Sequence, residues 1–322
     1  FRSAPAGSVR SPKTEDRGLK TGGLCTYMSD KKPFVSIIIP VYHDWNGLAR
    51  ALEALDQQTY PREQYEIIVV NNDPADPFPD SFTGLNNVCC AYQAHPGSYA
   101  ARNKGMHISQ GSLLGFCDAD CIPASDWIAQ AVELFRVNPE CFRIAGGIEL
   151  VYEDPLRRSL AEMHESVFAF RQELYAQKGL SATANMLARR EVFEAVGLFD
   201  EDLLSGGDLE WGQRAHDAGF TICYAPDVLV SHPARRSIQE LAQKCRRVCT
   251  GYIRIHQAHC QTNPGQAVYH GLSMLKPPLQ AGRMIWGRAD LRFQDKIRVY
   301  MLEYYLKLVQ LGEFIRLQRG KR

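Results

Sequence analysis

Leu113-Leu114-Gly115-Phe116-Cys117-Asp118-Ala119-Asp120 is an apolar run that stops in two carboxylates one residue apart. So short a run, with an aromatic residue inside it, predicts a buried strand, and its C-terminal end is where open α/β sheets place their ligands. Side chains two apart on a strand point the same way, so Asp118 and Asp120 can converge on one ion or one polar ligand. Paired carboxylate oxygens suit a hard divalent cation such as Mg2+ or Mn2+, which keeps positions free for water and phosphate oxygens. Taken alone, the tripeptide is more often a solvated turn than a metal site, so its neighbours decide the reading.

Upstream, Phe34 to Tyr42 is a β-branched run, Leu48 to Leu55 has apolar residues at helical spacing, and Glu66 to Val70 is a second buried run closed by Asn71-Asn72-Asp73-Pro74. Strand, helix and strand without a hairpin turn form a βαβ unit, which predicts a mostly parallel sheet covered on both faces. Val88 to Tyr92 reads as a third strand. Gly97-Ser98 then opens a helix carrying Arg102 and Asn103 toward the Asp118 strand.

The 322 residues are 45% hydrophobic and 23% charged, as in an ordinary globular protein. No run approaches a membrane span of about 18 apolar residues, and no signal peptide is evident. The ten cysteines are scattered and several lie inside apolar runs, which predicts reduced, mostly buried thiols of a cytoplasmic protein. Cys245, Cys249, His256, His259 and Cys260 cluster without a standard zinc spacing, and helix-face cysteines are the simpler reading. The formal net charge of +1 hides an asymmetry. Pro233 to Arg322 carries 17 Lys and Arg against 5 Asp and Glu, whereas the rest carries 20 against 31. A basic region on an acidic body calls for an anionic partner, either membrane lipid or a phosphate-bearing substrate. No nucleic-acid recognition motif accompanies the charge.

Downstream of the acid pair come Ser181 to Phe193 with Asn185 inside it, Val196-Gly197-Leu198-Phe199-Asp200-Glu201, and Gly206-Gly207-Asp208-Leu209-Glu210-Trp211-Gly212-Gln213-Arg214. Val228 to Pro233 then forms a strand ending at His232. Together with Pro40-x-Tyr42, Asp44, Asn71-Asn72-Asp73, Ala101-Arg102-Asn103-x-Gly105 and Asp118-x-Asp120, this order of motifs resembles the family 2 glycosyltransferases over about Pro33 to Pro233. The resemblance implies a GT-A fold, an α/β architecture with a mostly parallel central sheet flanked by helices. It also implies inverting transfer from a nucleotide-diphosphate sugar to a hydroxyl of a carbohydrate or lipid-linked acceptor, in surface polysaccharide or glycoconjugate synthesis.

Residue by residue, the resemblance places Pro40, Tyr42, Asp44, Asn72, Asp73, Arg102, Asn103 and Asp118 on the nucleotide sugar. It gives Asp118, Asp120 and His232 to a divalent cation (Mn2+ or Mg2+), makes Asp208 the general base, and puts Asn185, Glu210, Trp211 and Arg214 on the acceptor. Gly207 departs from the pattern, since the family usually has Glu there; any help that Glu gives is then missing or falls to Glu210. The same departure is the best support for the alternative, a non-catalytic scaffold or nucleotide-sugar binder with a degenerate site. Retention of Asp118, Asp120 and Asp208 together argues against it.

These readings divide the chain into a disordered leader (1–32), a catalytic domain (33–235) and a basic, mostly helical region (236–322). In the last, Ile297, Met301, Tyr304, Leu308, Leu311 and Ile315 repeat at alternating four and three beside Lys296, Arg298, Lys307, Arg316 and Arg319, which predicts an amphipathic helix. Its stripe would pack on the catalytic domain or a second subunit, or lie peripherally on the inner face of the membrane.

Overall fold

The computed structural model describes residues 32–82, 87–255 and 275–319. The expected leader up to residue 31 lies outside the described residues, as do Cys25, His256, His259 and Cys260.

Among the described residues, eight strands form one sheet in the order β3-β2-β1-β4-β7-β6-β8-β5. The strands β1 (Val35–Val41), β2 (Tyr65–Asn71), β3 (Val88–Tyr92) and β4 (Leu113–Cys117) run parallel, with helix α1 (Trp45–Asp56) between the first two and α2 (Ser98–Ile108) between the last two. This half is the βαβ arrangement expected from the apolar runs. Beyond it the sheet becomes mixed, because β7 (Asn185–Arg189) lies antiparallel to both β4 and β6 (Arg143–Val151), and β6 pairs in parallel with β8 (Ile222–Pro233). The two-residue β5 (Ile122–Pro123) closes the edge on β8.

Both faces of the sheet are covered. One face packs Val35, Ile37 and Ile39 of β1 against Leu48, Leu52 and Leu55 of α1 and Trp127 and Ile128 of α3 (Trp127–Val137). The other packs Ile38, Leu114 and Phe116 against Met106 of α2, Phe193 of α6 (Arg190–Val196) and Trp211 of α7 (Gly207–Asp217). A strand buried on two sides needs apolar residues at every position, which is why the decisive runs are continuous rather than alternating. The register pairs Cys117 with Asn185, so Asp118 and Ala184 leave the sheet side by side. That antiparallel crossing brings two distant stretches to one rim.

The described residues of the basic C-terminal region include α8 (Ile238–Ile255), α9 (Leu279–Trp286) and α10 (Phe293–Arg319). Leu241, Ala242 and Cys245 of α8 pack with Leu302 and Leu306 of α10 and with Ala161 of α4 (Leu160–Phe168). Cys245 and Cys249 sit in this seam, their thiols directed to the carbonyls of Leu306 and Gln310, which fits helix-face cysteines. The expected stripe of α10 requires correction. Ile297, Met301, Leu308 and Ile315 are each 40% or more exposed, whereas Val299, Leu302, Leu306 and Phe314 are buried. Apolar residues occur on more than one face of α10, so spacing alone fits two stripes, and the packing partner selects between them. No helix among the described residues is long and apolar enough to cross a membrane.

Candidate active site

The exits of β1 and β4 open into a cleft of about 420 Å3. Pro40, Tyr42 and Asp44 line it from β1, and Asp118, Ala119 and Asp120 from β4. Thr183 and Ala184 line it from the approach to β7, Asp208 from the start of α7, His232 from β8, and Lys244 and Arg247 from α8.

Each acid is held differently. Asp44 is the N-cap of α1, accepting from the Gly47 N–H at 2.9 Å, the usual side-chain answer to an unsatisfied first-turn donor. Asp118 accepts from the Arg102 guanidinium at 2.5 Å. Arg102 is buried and lies 5.6 Å from the Tyr99 ring centroid, whereas the Asp118 carboxylate is partly exposed to the cleft, so the pair is half-buried. Burial, with Asp118 and Asp44 nearby, pushes the Asp120 carboxyl above its ordinary value against the opposing pull of His232 and Arg235.

His232 and Asp120 fit a cation. His232 Nδ1 is 2.7 Å from the Pro233 carbonyl, which only accepts, so Nδ1 carries a proton. Nε2 then faces an Asp120 oxygen 3.6 Å away. An imidazole nitrogen and a carboxylate oxygen converge there, and that donor pair suits a first-row divalent ion. Among the described residues, the group whose ligand atoms lie within 4.8 Å of one another is Asp120, Cys121 and His232. Asp118 stands outside it, engaged by Arg102. Cys121 is a poor third ligand for Mg2+ or Mn2+, because those hard ions prefer oxygen donors to a soft sulfur.

Asp208 is the second residue of α7, following Gly206 at φ +82°. Its Oδ1 accepts from the Tyr99 hydroxyl at 3.0 Å and from the Leu209 N–H at 3.0 Å, while the Thr183 N–H points at Oδ2 from 3.4 Å. Burial raises its pKa, and the Tyr99 hydrogen bond and Arg102 oppose that. The departure at Gly207 has a steric cause: a Cβ there would stand 2.8 Å from the Tyr99 ring. Glu210 does not replace the absent side chain. It makes a two-pronged ion pair with Arg214 at 2.7 and 3.0 Å and lines a separate pocket with Asp200, Asp202 and Arg254.

Several other expected site residues serve the framework instead. Asn185 is fully buried, accepting from the Trp127 indole at 2.9 Å and donating to the Gly147 and Val228 carbonyls at 2.7 Å each. Trp211 is fully buried and stacked on Phe193 at 4.1 Å, with its indole bonded to the Gly197 carbonyl. Arg214 bonds the carbonyls of Val196 and Leu198. Asn103 donates to the Phe199 carbonyl and Glu201 and accepts from the Phe199 N–H. Asn72 donates to the Gln93 and His95 carbonyls and accepts from the Gly97 N–H, and Asp73 pairs with His43 at 3.2 Å. Neither lines the cleft. Conversely, Tyr99, Thr183 and Arg235 line it and were not singled out as site residues by the sequence. Lys244 and Arg247 belonged to a basic run whose place was open.

Residues 36–197 match the family described as Glycosyl transferase family 2. Among curated relatives, the glycosyltransferase AglE of Haloferax volcanii is 36% identical over 236 residues, which is 71% of this chain and 76% of that one. A Methanococcus voltae enzyme named dolichyl N-acetyl-alpha-D-glucosaminyl phosphate 3-beta-D-2,3-diacetamido-2,3-dideoxy-beta-D-glucuronosyltransferase is 24% identical over 225 residues, 66% of this chain and 70% of that one. The mannosyltransferase PcManGT of Pyrobaculum calidifontis, solved with GDP-Man and Mn2+, superposes with a TM-score of 0.58 at 14% identity, covering 91% of this chain and 89% of that one. TarS of S. aureus, solved with UDP, gives a TM-score of 0.51 at 15% identity, covering 89% and 92%. At such identities these structures establish the GT-A fold and nothing finer.

Proposed function

The chain belongs to glycosyl transferase family 2, and from that premise we propose that the cleft moves a sugar from a nucleotide diphosphate to an acceptor hydroxyl, with Asp208 as the base. The observation that carries this reading is the Asp208 carboxylate, fixed by Tyr99 and the Leu209 N–H in the cleft that also holds Asp118 and Asp120.

An acceptor hydroxyl is a poor nucleophile near neutral pH, so a positioned carboxylate takes its proton as it attacks the anomeric carbon, a contribution of typically 10^2 to 10^4 in rate. Burial raises the Asp208 pKa and thereby its basicity, while Tyr99 and the Leu209 N–H fix the orientation of the carboxylate. Attack opposite the leaving diphosphate inverts the anomeric centre. Pro40, Tyr42 and Asp44 are the nucleotide side of the cleft in this reading. Asp120 and His232 would hold a divalent cation, with Asp118 beside it; when bound, the ion neutralises charge developing on the diphosphate. Arg102 keeps Asp118 oriented.

The finer assignments rest on the same premise. The acceptor is a lipid-linked or other glycoconjugate hydroxyl, in keeping with the name of the Methanococcus relative. The catalytic domain is residues 33–235 and the basic region 236–322 in this reading; exposed Leu279, Trp286, Phe293 and Met301 beside Arg283 and Lys296 suit peripheral contact with the inner face of a membrane. The test is Asp208→Asn. Nucleotide binding should survive while sugar transfer falls by roughly 10^2 to 10^4, and transfer at the wild-type rate would remove the base assignment.

A further inference from the structure

One wall of the cleft is cationic, and it comes from outside the matched segment 36–197: Arg235, together with Lys244 and Arg247 of α8. These cations are assembled by a buried carboxylate. Glu165 of α4, 2% exposed, accepts from Arg235 Nη1 and from Lys244 Nζ at 3.0 Å each through Oε1, and from the Arg235 backbone N–H at 2.8 Å through Oε2. Burial pulls the Glu165 carboxyl upward, and Lys244 and Arg235 more than reverse that, holding it below its ordinary value. Burial and the neighbouring Arg235 press on Lys244 in turn, lowering its pKa.

Two cations share the one carboxylate of Glu165. Arg247, exposed and without an ion-pair partner among the described residues, adds another. The group also abuts the candidate metal ligands. Lys244 Nζ lies 5.5 Å from the Phe170 ring centroid, Phe170 packs on His232 at 4.5 Å, and the charge of Arg235 reaches Asp120. Guanidinium and ammonium groups gathered on one wall match phosphate oxygens.

We propose that Arg235, Lys244 and Arg247 form a binding wall for phosphate oxyanions of the substrates, built by Glu165 and supplied by the C-terminal region. The proposal deepens the glycosyltransferase reading and rests on it. Two sources share this chemistry: the diphosphate of the donor, and a phosphate carried by the acceptor.

The test is calorimetric titration of the full chain with inorganic pyrophosphate, UDP, GDP and the corresponding nucleosides, with and without Mn2+. It compares wild type with Arg247→Met and with Lys244→Met/Arg247→Met. Both variants leave Glu165 paired with Arg235, and Arg247 is exposed, so Arg247→Met leaves the fold intact. Metal-free pyrophosphate affinity should fall about tenfold or more in the double variant and by a smaller factor in Arg247→Met, with any nucleoside binding unchanged. If the donor is the source, the nucleotide diphosphate that binds wild type loses the same factor. If the acceptor is the source, that nucleotide is unaffected, and pyrophosphate still binds wild type saturated with it and Mn2+, but not the double variant. Pyrophosphate that binds the double variant as it binds wild type, or that does not bind wild type, overturns the wall. Failure of the underlying reading looks different: no nucleotide diphosphate binds wild type with Mn2+, while the pyrophosphate difference persists.

Discussion

The rim formed by β1 and β4 and the stretch from β7 through α7 both carry the motifs of the family, yet they use them differently. At the strand exits the singled-out residues Pro40, Tyr42, Asp44, Asp118 and Asp120 all face the cleft. Around β7 and α7 only Asp208 does; Asn185, Trp211 and Arg214 are engaged with the backbone, and Glu210 with Arg214. A strand that leaves a covered sheet has little choice about where its last residues go, because the period of two and the end of the ladder fix them. A helix start turns about 100° per residue, so consecutive motif residues fan out and one of them reaches the cleft.

That contrast can be broken or sharpened by substitution. The largest effect belongs to Asp208, where Asp208→Asn should cost roughly 10^2 to 10^4 in transfer rate at unchanged fold. Next is Trp211→Ala, which deletes a fully buried stacked ring and should lower stability by about 3 to 5 kcal/mol, read as a drop in denaturation midpoint. Preserved stability with lost transfer would return Trp211 to the acceptor site. Asn185→Ala leaves two buried carbonyls and an indole N–H without their partner, and chemical denaturation should register a loss of about 1 to 3 kcal/mol.

Tyr99→Phe is smaller but more specific. The phenol donates to Asp208 and so favours the ionised carboxylate; without it the Asp208 pKa, already raised by burial, rises further. The base works only when ionised, so activity is lost as pH falls through that pKa. The acid limb of the kcat/KM profile should therefore move to higher pH in Tyr99→Phe, by roughly half a unit to one unit. A limb that stays put would separate Tyr99 from the base. Smallest is Glu210→Gln, which removes a partly exposed i,i+4 ion pair worth about 0.3 to 0.5 kcal/mol. Transfer should stay within about threefold of wild type; a loss as deep as that of Asp208→Asn would erase the contrast between the two residues.

Gly207 illustrates how the two readings meet. In the sequence it is a missing Glu and invites the idea of a degenerate site. In the structure it is the room that the Tyr99 ring requires, and Tyr99 in turn holds Asp208. No local signal links residues 99 and 207, because their contact depends on α2 and α7 sharing one face of the sheet. The same holds for α10, whose two candidate stripes are equivalent by spacing and differ only in which one α4 and α8 cover.

By itself the sequence determined the parallel first half of the sheet, the acid pair at its rim and the family, because continuous apolar runs, strand periodicity and short motifs are local properties of the chain. Only the tertiary structure decided which polar residues face the cleft and which close hydrogen bonds inside the framework. It also decided that His232 meets Asp120 and that Glu165 gathers Arg235 and Lys244 onto one wall. Those pairings join residues 70 to 112 positions apart, and they exist because the antiparallel entry of β7 and the packing of α8 on α4 close the cleft around the strand ends.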